Sequence, residues 1–137
     1  MILGVGIDLA SIQFWVEAVN DPTTSVIEGT FTERERADAE AGPVPPAERY
    51  AARFAAKEAF TKAVSGARQG QAPLIDRLAP KHVEVVKDQW GRPSLVLHHD
   101  AAMLAEKIGV TKTWVSLSHD GGYTVAVVIL EGPLPTA

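Results

Sequence analysis

The chain has 137 residues, 46% of them apolar, enough for one domain with a single core, expected over residues 1–131 with a flexible tail at 132–137. With 13 basic residues against 17 acidic ones, its net charge of −4 argues against broad nucleic-acid binding, which needs a basic footprint. Having no cysteine, it builds neither a disulfide framework nor a zinc-thiolate site, which fits a cytoplasmic protein, and no run approaches the roughly 20 apolar residues of a membrane span.

In chain order, Leu3, Val5 and Ile7 alternate with small residues, so Ile2 to Leu9 reads as a strand that delivers the carboxylate of Asp8 near its end. No basic segment precedes this apolar start and Asp8 ends it, which argues against a signal peptide. Ser11 is placed to cap a short helix through about Asn20, closed by Asp21-Pro22. Thr32 opens T-E-R-E, a capping-box spacing that predicts a helix from Glu33 to Glu40. After A-G-P-V-P-P, the Ala, Glu, Lys and Arg of Ala47 to Ala67 predict a long helix with Gly66 as its stop.

The segment from Gln69 to Pro80 reads as a connecting loop. H-V-E-V-V-K and S-L-V-L-H, joined through D-Q-W-G-R-P, predict a hairpin. Asp100 is placed to cap a helix from Ala101 to Ile108 that stops at Gly109. W-V-S-L-S-H and Y-T-V-A-V-V-I-L flank D-G-G as a second hairpin. Strands bunched into hairpins, with helices elsewhere, predict an α+β fold whose sheet is largely antiparallel.

On the long helix Glu58 and Lys62 are four residues apart and share a face. Alone they read as a surface ion pair worth a few tenths of a kcal/mol. Asp8 alters that reading, because the G-V-G before it allows close approach of a ligand or a second backbone. Two carboxylates beside a lysine suit Mg²⁺ held on a substrate phosphate, with the lysine as a point charge during phosphoryl transfer.

Several motifs occur in a fixed order: G-I-D at the start, F-T-x-x-E at Phe31 to Glu35, R-F-A-A-K-E-A-x-x-K-A from Arg53, G-R-P, and V-S-L-S-H-D before the last strand. Together they resemble the holo-acyl-carrier-protein synthases, the short 4'-phosphopantetheinyl transferases. The resemblance implies transfer of 4'-phosphopantetheine from coenzyme A to a serine of an apo acyl carrier protein or carrier domain, in fatty acid synthesis, with release of adenosine 3',5'-bisphosphate. It implies Mg²⁺ on Asp8 and Glu58, Lys62 at the transferring phosphate, and Glu58, directly or through a water, as acceptor of the serine proton. His119 would meet the 3'-phosphate, and Arg53, Lys57, Ser65, Gly66, Arg92, Pro93 and Ser118 would line the coenzyme. A homotrimer with sites between subunits is also implied.

One position and one segment depart from the patterns of this superfamily. Ala10 stands where longer members carry a third carboxylate, and Ser11 to Asn20 carries none of the arginines with which many short synthases grip a free carrier protein. Phe14 and Trp15 instead offer either an apolar docking surface, for which a carrier domain inside a larger synthase is a partner, or core packing. Adjacent His98 and His99 in a strand would point to opposite faces, against a shared metal site. His82 is expected exposed at a strand start, Trp90 over its turn or an adenine, Trp114 in the core or an interface, and Glu35 as a structural brace. The competing readings are a noncatalytic module that binds coenzyme A or a carrier protein, and a magnesium-dependent nucleotide hydrolase.

Overall fold

The structure is a computed structural model describing residues 1–133. Its architecture follows from one close contact. Strand β1 (Ile2–Ser11) lies against helix α4 (Pro46–Ala67), and the residues between them are the smallest available. Ala55, Ala56, Ala59 and Ala63 are fully buried along one side of α4. Opposite them stand Gly4 and Gly6, where an added Cβ would collide with the carbonyl oxygens of Ala63 and Ala59. The glycines of G-V-G therefore admit a second backbone, so the open choice between a ligand and a chain resolves to the chain.

β1 pairs antiparallel with β5 (Tyr123–Glu131), which pairs with β4 (Lys112–Asp120), giving the strand order β1-β5-β4. Gly121 and Gly122, at φ 58° and 85°, close the β4-β5 hairpin. β2 (Val83–Lys87) and β3 (Pro93–Leu97) form the second hairpin, a separate two-stranded sheet. Short helices α1 (Ile12–Asn20), α2 (Val26–Thr30) and α3 (Glu33–Glu40) lead into α4, and α5 (His99–Ile108) joins β3 to β4. Every described strand pairing is antiparallel, as expected of an α+β fold.

Thr32 forms the predicted capping box: its hydroxyl accepts from Glu35 N–H and Glu35 Oε1 accepts from Thr32 N–H, both at 3.1 Å. Gly109 caps α5 in the left-handed region. Other boundary expectations are corrected. Gly66 lies inside α4, which ends at Ala67 with Arg68 as its cap. His98 rather than Asp100 occupies the α5 cap, and Ser11 holds the α1 cap position without a side-chain bond. Helix α2, only five residues long, carries no periodicity that the sequence reveals. His98 and His99 follow β3 rather than lying in it, and His82 sits half-buried in the 3-10 turn Pro80–His82. Gly132, expected to start a loose tail, is buried and donates its N–H to the Met1 carbonyl at 3.0 Å; the rest of the expected tail, 134–137, lies outside the described residues.

Trp15 is core: its ring sits 5.2 Å from Phe31 and 5.3 Å from Phe54, in tilted or edge contacts that also reach Tyr50. Its neighbour Phe14 points outward. Trp114 is not core either; it is half-exposed on the sheet face turned away from α4. That face also carries Val5, Ile7 and Leu9, exposed by 54%, 59% and 64%, in register with Ile129, Val127 and Val125 of β5. Among the described residues no helix is long and apolar enough to cross a membrane.

Candidate active site

The β1-α4 contact brings Asp8 to Lys62. The lysine Nζ donates to Asp8 Oδ1 at 3.0 Å and to the Ile7 carbonyl at 3.1 Å. Lys62 is largely exposed while Asp8 is mostly covered, so an ammonium at the rim reaches down to a carboxylate below it. One helical turn back, Glu58 is half-buried, and its carboxyl is pushed above the ordinary glutamate value of 4.5 by burial and by the charge of Asp8, against the opposing pull of Lys62. Lys62 thus pairs with Asp8, and Glu58 lies close enough to feel the charges of both. Among the described residues no cluster of three or more His, Asp or Glu is arranged to hold a metal, so any cation here would rest on this pair and on ligand oxygens.

Glu58 also borders a cavity of about 410 Å³ between α4 and the 69–80 loop. Ser65 and Arg68 line its polar side, and Leu74, Leu78 and Leu104 its apolar side. Gly66, one residue beyond Ser65, is exposed on the same helix end.

Arg53 and Lys57, expected to line a coenzyme, are instead taken up inside the protein. Lys57 Nζ donates to Glu35 Oε1 at 2.7 Å, to the Val83 carbonyl at 2.6 Å and to the Pro80 carbonyl at 2.9 Å, so all three ammonium protons are used. Burial lowers its pKa, and the adjoining Glu35 opposes that shift. Glu35 Oε2 accepts from Val85 N–H at 3.0 Å, so this carboxylate ties α3, α4 and β2 together. Its bracing role takes the form of a buried ion pair in which both partners have their hydrogen bonds satisfied. Arg53, fully buried, pairs with Asp38 and donates to the Arg49 carbonyl at 3.3 Å.

A second cluster lies near the start of α4. A cavity of about 280 Å³ is lined by Glu48, Arg49, Lys87, Pro93, Ser118, His119 and Thr124. Burial, then the charges of Arg53 and Arg49, lower the pKa of Lys87, so cations are crowded here. Arg92, exposed on the hairpin turn, is held by Asp88 at 2.7 Å and stacks on Trp90 at 4.9 Å. Glu48, Lys87 and Thr124 escape a reading of the sequence. Lys87 sits at a strand end beside a turn, and only the fold sets it next to Arg49, a residue whose proline-rich flank hides its place. The alternation of β5 does mark Thr124 as inward-facing, which was the available signal.

The two clusters are not adjacent. Glu48 and Glu58 are ten residues apart on α4, about 15 Å at 1.5 Å per residue. Asp8 and His119 sit on strands flanking β5, in register with Ala126 and Thr124.

Residues 4–128 match the 4'-phosphopantetheinyl transferase superfamily. The chain is 45% identical over 132 residues to a holo-[acyl-carrier-protein] synthase of Mycobacterium tuberculosis, covering 96% of this chain and 98% of that one. A protein of the same name from Geobacter sulfurreducens is 42% identical, covering 97% and 100%. Among solved structures, a Chronobacterium ammoniagenes ACPS–CoA complex aligns with a TM-score of 0.82 at 36% identity, covering 96% of this chain and 98% of that one. The M. tuberculosis acyl carrier protein synthase aligns at 0.74 with 43% identity, covering 97% and 100%. The α+β fold is thus that of the phosphopantetheinyl transferases. The chain belongs to this superfamily, and within it to the holo-[acyl-carrier-protein] synthases.

Proposed function

We propose that the protein transfers 4'-phosphopantetheine from coenzyme A to a serine of an apo acyl carrier protein or carrier domain, with Mg²⁺ held by Asp8 and Glu58. The observation that carries this reading is the crowding of these two carboxylates beside a single lysine. Such a pair is short of positive charge, and a divalent cation with a diphosphate supplies it. Mg²⁺ would neutralise the diphosphate and hold it for in-line attack. The serine oxygen attacks the phosphorus that bears the pantetheine arm, its proton passes to Glu58, and the P–O bond to adenosine 3',5'-bisphosphate breaks. A carboxyl raised above its usual value is the better base for that proton. Lys62, at the rim, meets the charge that builds on the leaving oxygen. The relatives' names, and the coenzyme A in the ammoniagenes complex, support this choice of donor and acceptor.

Intact-mass spectrometry of an apo carrier protein incubated with this protein, coenzyme A and Mg²⁺ tests the reading. One phosphopantetheine should be gained, and none when the metal is chelated; no gain on free or synthase-embedded carriers would remove it. Lys62→Ala should lower kcat about 100-fold with little change in the KM for coenzyme A. A change confined to KM would contradict the role at the leaving group.

The same reading includes a homotrimer with sites between subunits. The 3'-phosphate and the diphosphate of coenzyme A hang on one ribose, whereas Glu58, in the middle of α4, lies about 15 Å along the helix from Glu48 at the cationic cavity near its start. One coenzyme molecule fits both if the second cluster comes from a neighbouring copy. The exposed apolar face of Val5, Ile7 and Leu9 gives such a neighbour a surface to bury. Native mass spectrometry should give three chains, and Leu9→Asp should give monomers with little transferase activity. A fully active Leu9→Asp monomer would exclude a shared site. On α1, exposed Phe14 and the absence of basic residues favour an apolar carrier contact, tested by comparing free carriers with embedded domains.

A further inference from the structure

The cationic cavity near the start of α4 contains a contact that the transfer chemistry does not use. Glu48 Oε1 lies 2.9 Å from His119 Nδ1. His119 is two-thirds exposed at the end of β4, whereas Glu48 is three-quarters covered on the helix. Glu48 is the one carboxylate among the described residues lining the cavity, which it shares with Lys87 of β2 and with Arg49 of its own helix, whose guanidinium also donates to the Asp38 and Ala41 carbonyls. The Thr124 hydroxyl, buried in the wall, has no hydrogen-bond partner among the described residues. An unpartnered donor beside Lys87 and Arg49 marks the cavity as a place for an anion.

We infer that Glu48 is a positioning residue: it holds the His119 ring at the mouth of this cavity, so that the other edge of the ring is set to receive a phosphate alongside Lys87 and Arg49. The inference rests on the reading of the cavity as the seat of the 3'-phosphate of coenzyme A. A free imidazole at a strand end samples several rotamers, and ordering it on binding weakens affinity by a few-fold to about tenfold. A contact that orders it beforehand removes that loss. A lone carboxylate in an anion site also repels the ligand. Here two cations line the same cavity, and Arg53 behind them is already balanced by Asp38, so Lys87 and Arg49 outweigh the single charge of Glu48 and the local balance stays positive.

The experiment is calorimetric titration of the intact protein, with Mg²⁺ present, by coenzyme A and by dephospho-coenzyme A, which lacks only the 3'-phosphate. Wild type is compared with Glu48→Ala, His119→Asn and the double variant, and melting temperatures confirm that each is folded. Glu48→Ala, which removes the acceptor that a glutamine would keep, should weaken coenzyme A by about tenfold and leave dephospho-coenzyme A within about twofold. His119→Asn should show the same selectivity, and the double variant should be no worse than His119→Asn alone.

A tighter grip on coenzyme A by Glu48→Ala would make the carboxylate a competitor and overturn the inference. So would equal losses for the two ligands, or additive losses in the double variant. If His119→Asn fails to distinguish the two ligands, the 3'-phosphate reading of the cavity falls first, and the positioning role falls with it.

Discussion

Asp8→Ala and Glu58→Ala should each reduce magnesium-dependent transfer by about 1,000-fold or more while leaving a folded protein of unchanged assembly. Removing either carboxylate leaves one ligand for a hard cation and removes several kcal/mol of charge stabilisation from the transferring group. The folded state should scarcely notice the loss of Asp8, since its partner Lys62 is largely exposed and such pairs contribute about 1 kcal/mol at most. Glu58 goes further, because burial and Asp8 raise its pKa, so the folded chain disfavours its charged form. A carboxyl raised in the folded state contributes stability that is lost as the pH climbs from 4.5 through the raised value. With metal chelated, Glu58→Gln should therefore melt at or above the wild-type temperature at neutral pH, and lose that advantage below about pH 4.5. Adding Mg²⁺ to the protein saturated with coenzyme A should raise the melting temperature of the wild type further and not that of Asp8→Ala or Glu58→Ala. Wild-type rates from Asp8→Ala or Glu58→Ala would sink the metal assignment.

The same residues explain what the sequence could and could not reveal. Asp8, Glu58 and Lys62 were legible because each depends on local geometry: a strand end, and a four-residue step on a helix. The motif order then joined two segments that no periodicity connects. Glu35 was recognised as a brace, but its partner was not. Lys57 sits between Glu58 and Arg53 in a helix whose alternation of charge and alanine looks the same on every side, so the face it shows can be read only once α3 and β2 are packed against it. Arg53 was misread for the same reason. Lys87 and Thr124 were missed because the cavity near the start of α4 joins that helix to two separate sheets, and such a meeting is a property of tertiary packing. Gly66 was taken as a helix stop because it stands one residue from the true end, and helix ends are the least sharply encoded boundaries.

Gly6→Ala should be the most destabilising single-methyl change in the chain. At most glycines an added Cβ meets open space or a side chain that can move. At Gly6 it meets the carbonyl oxygen of Ala59, and behind it the amide nitrogen of Ala63 at 2.7 Å, both in the middle of a 22-residue helix. A helix backbone cannot yield locally without breaking its own hydrogen bonds, so the whole β1-α4 contact must open. The expected cost is about 3 kcal/mol or more, near the upper end for overpacked cores and a large part of a typical 5–15 kcal/mol total. The melting temperature should fall by about 10 °C. Gly29→Ala is the control: it lies in α2, nothing stands within 4 Å of its added Cβ, and alanine favours helix by up to about 1 kcal/mol, so stability should hold or rise. A Gly6→Ala protein as stable as Gly29→Ala would mean that β1 and α4 are not in backbone contact. Where Gly6→Ala still folds, β1 moves off the helix and Asp8 moves away from Glu58 and Lys62. Activity should then fall more steeply than the folded fraction, because a separation of about 1 Å between positioned groups is enough to cost roughly 100-fold in rate. The glycines of G-V-G thus act on the chemistry without touching any ligand: they set the distance across which the two carboxylates meet.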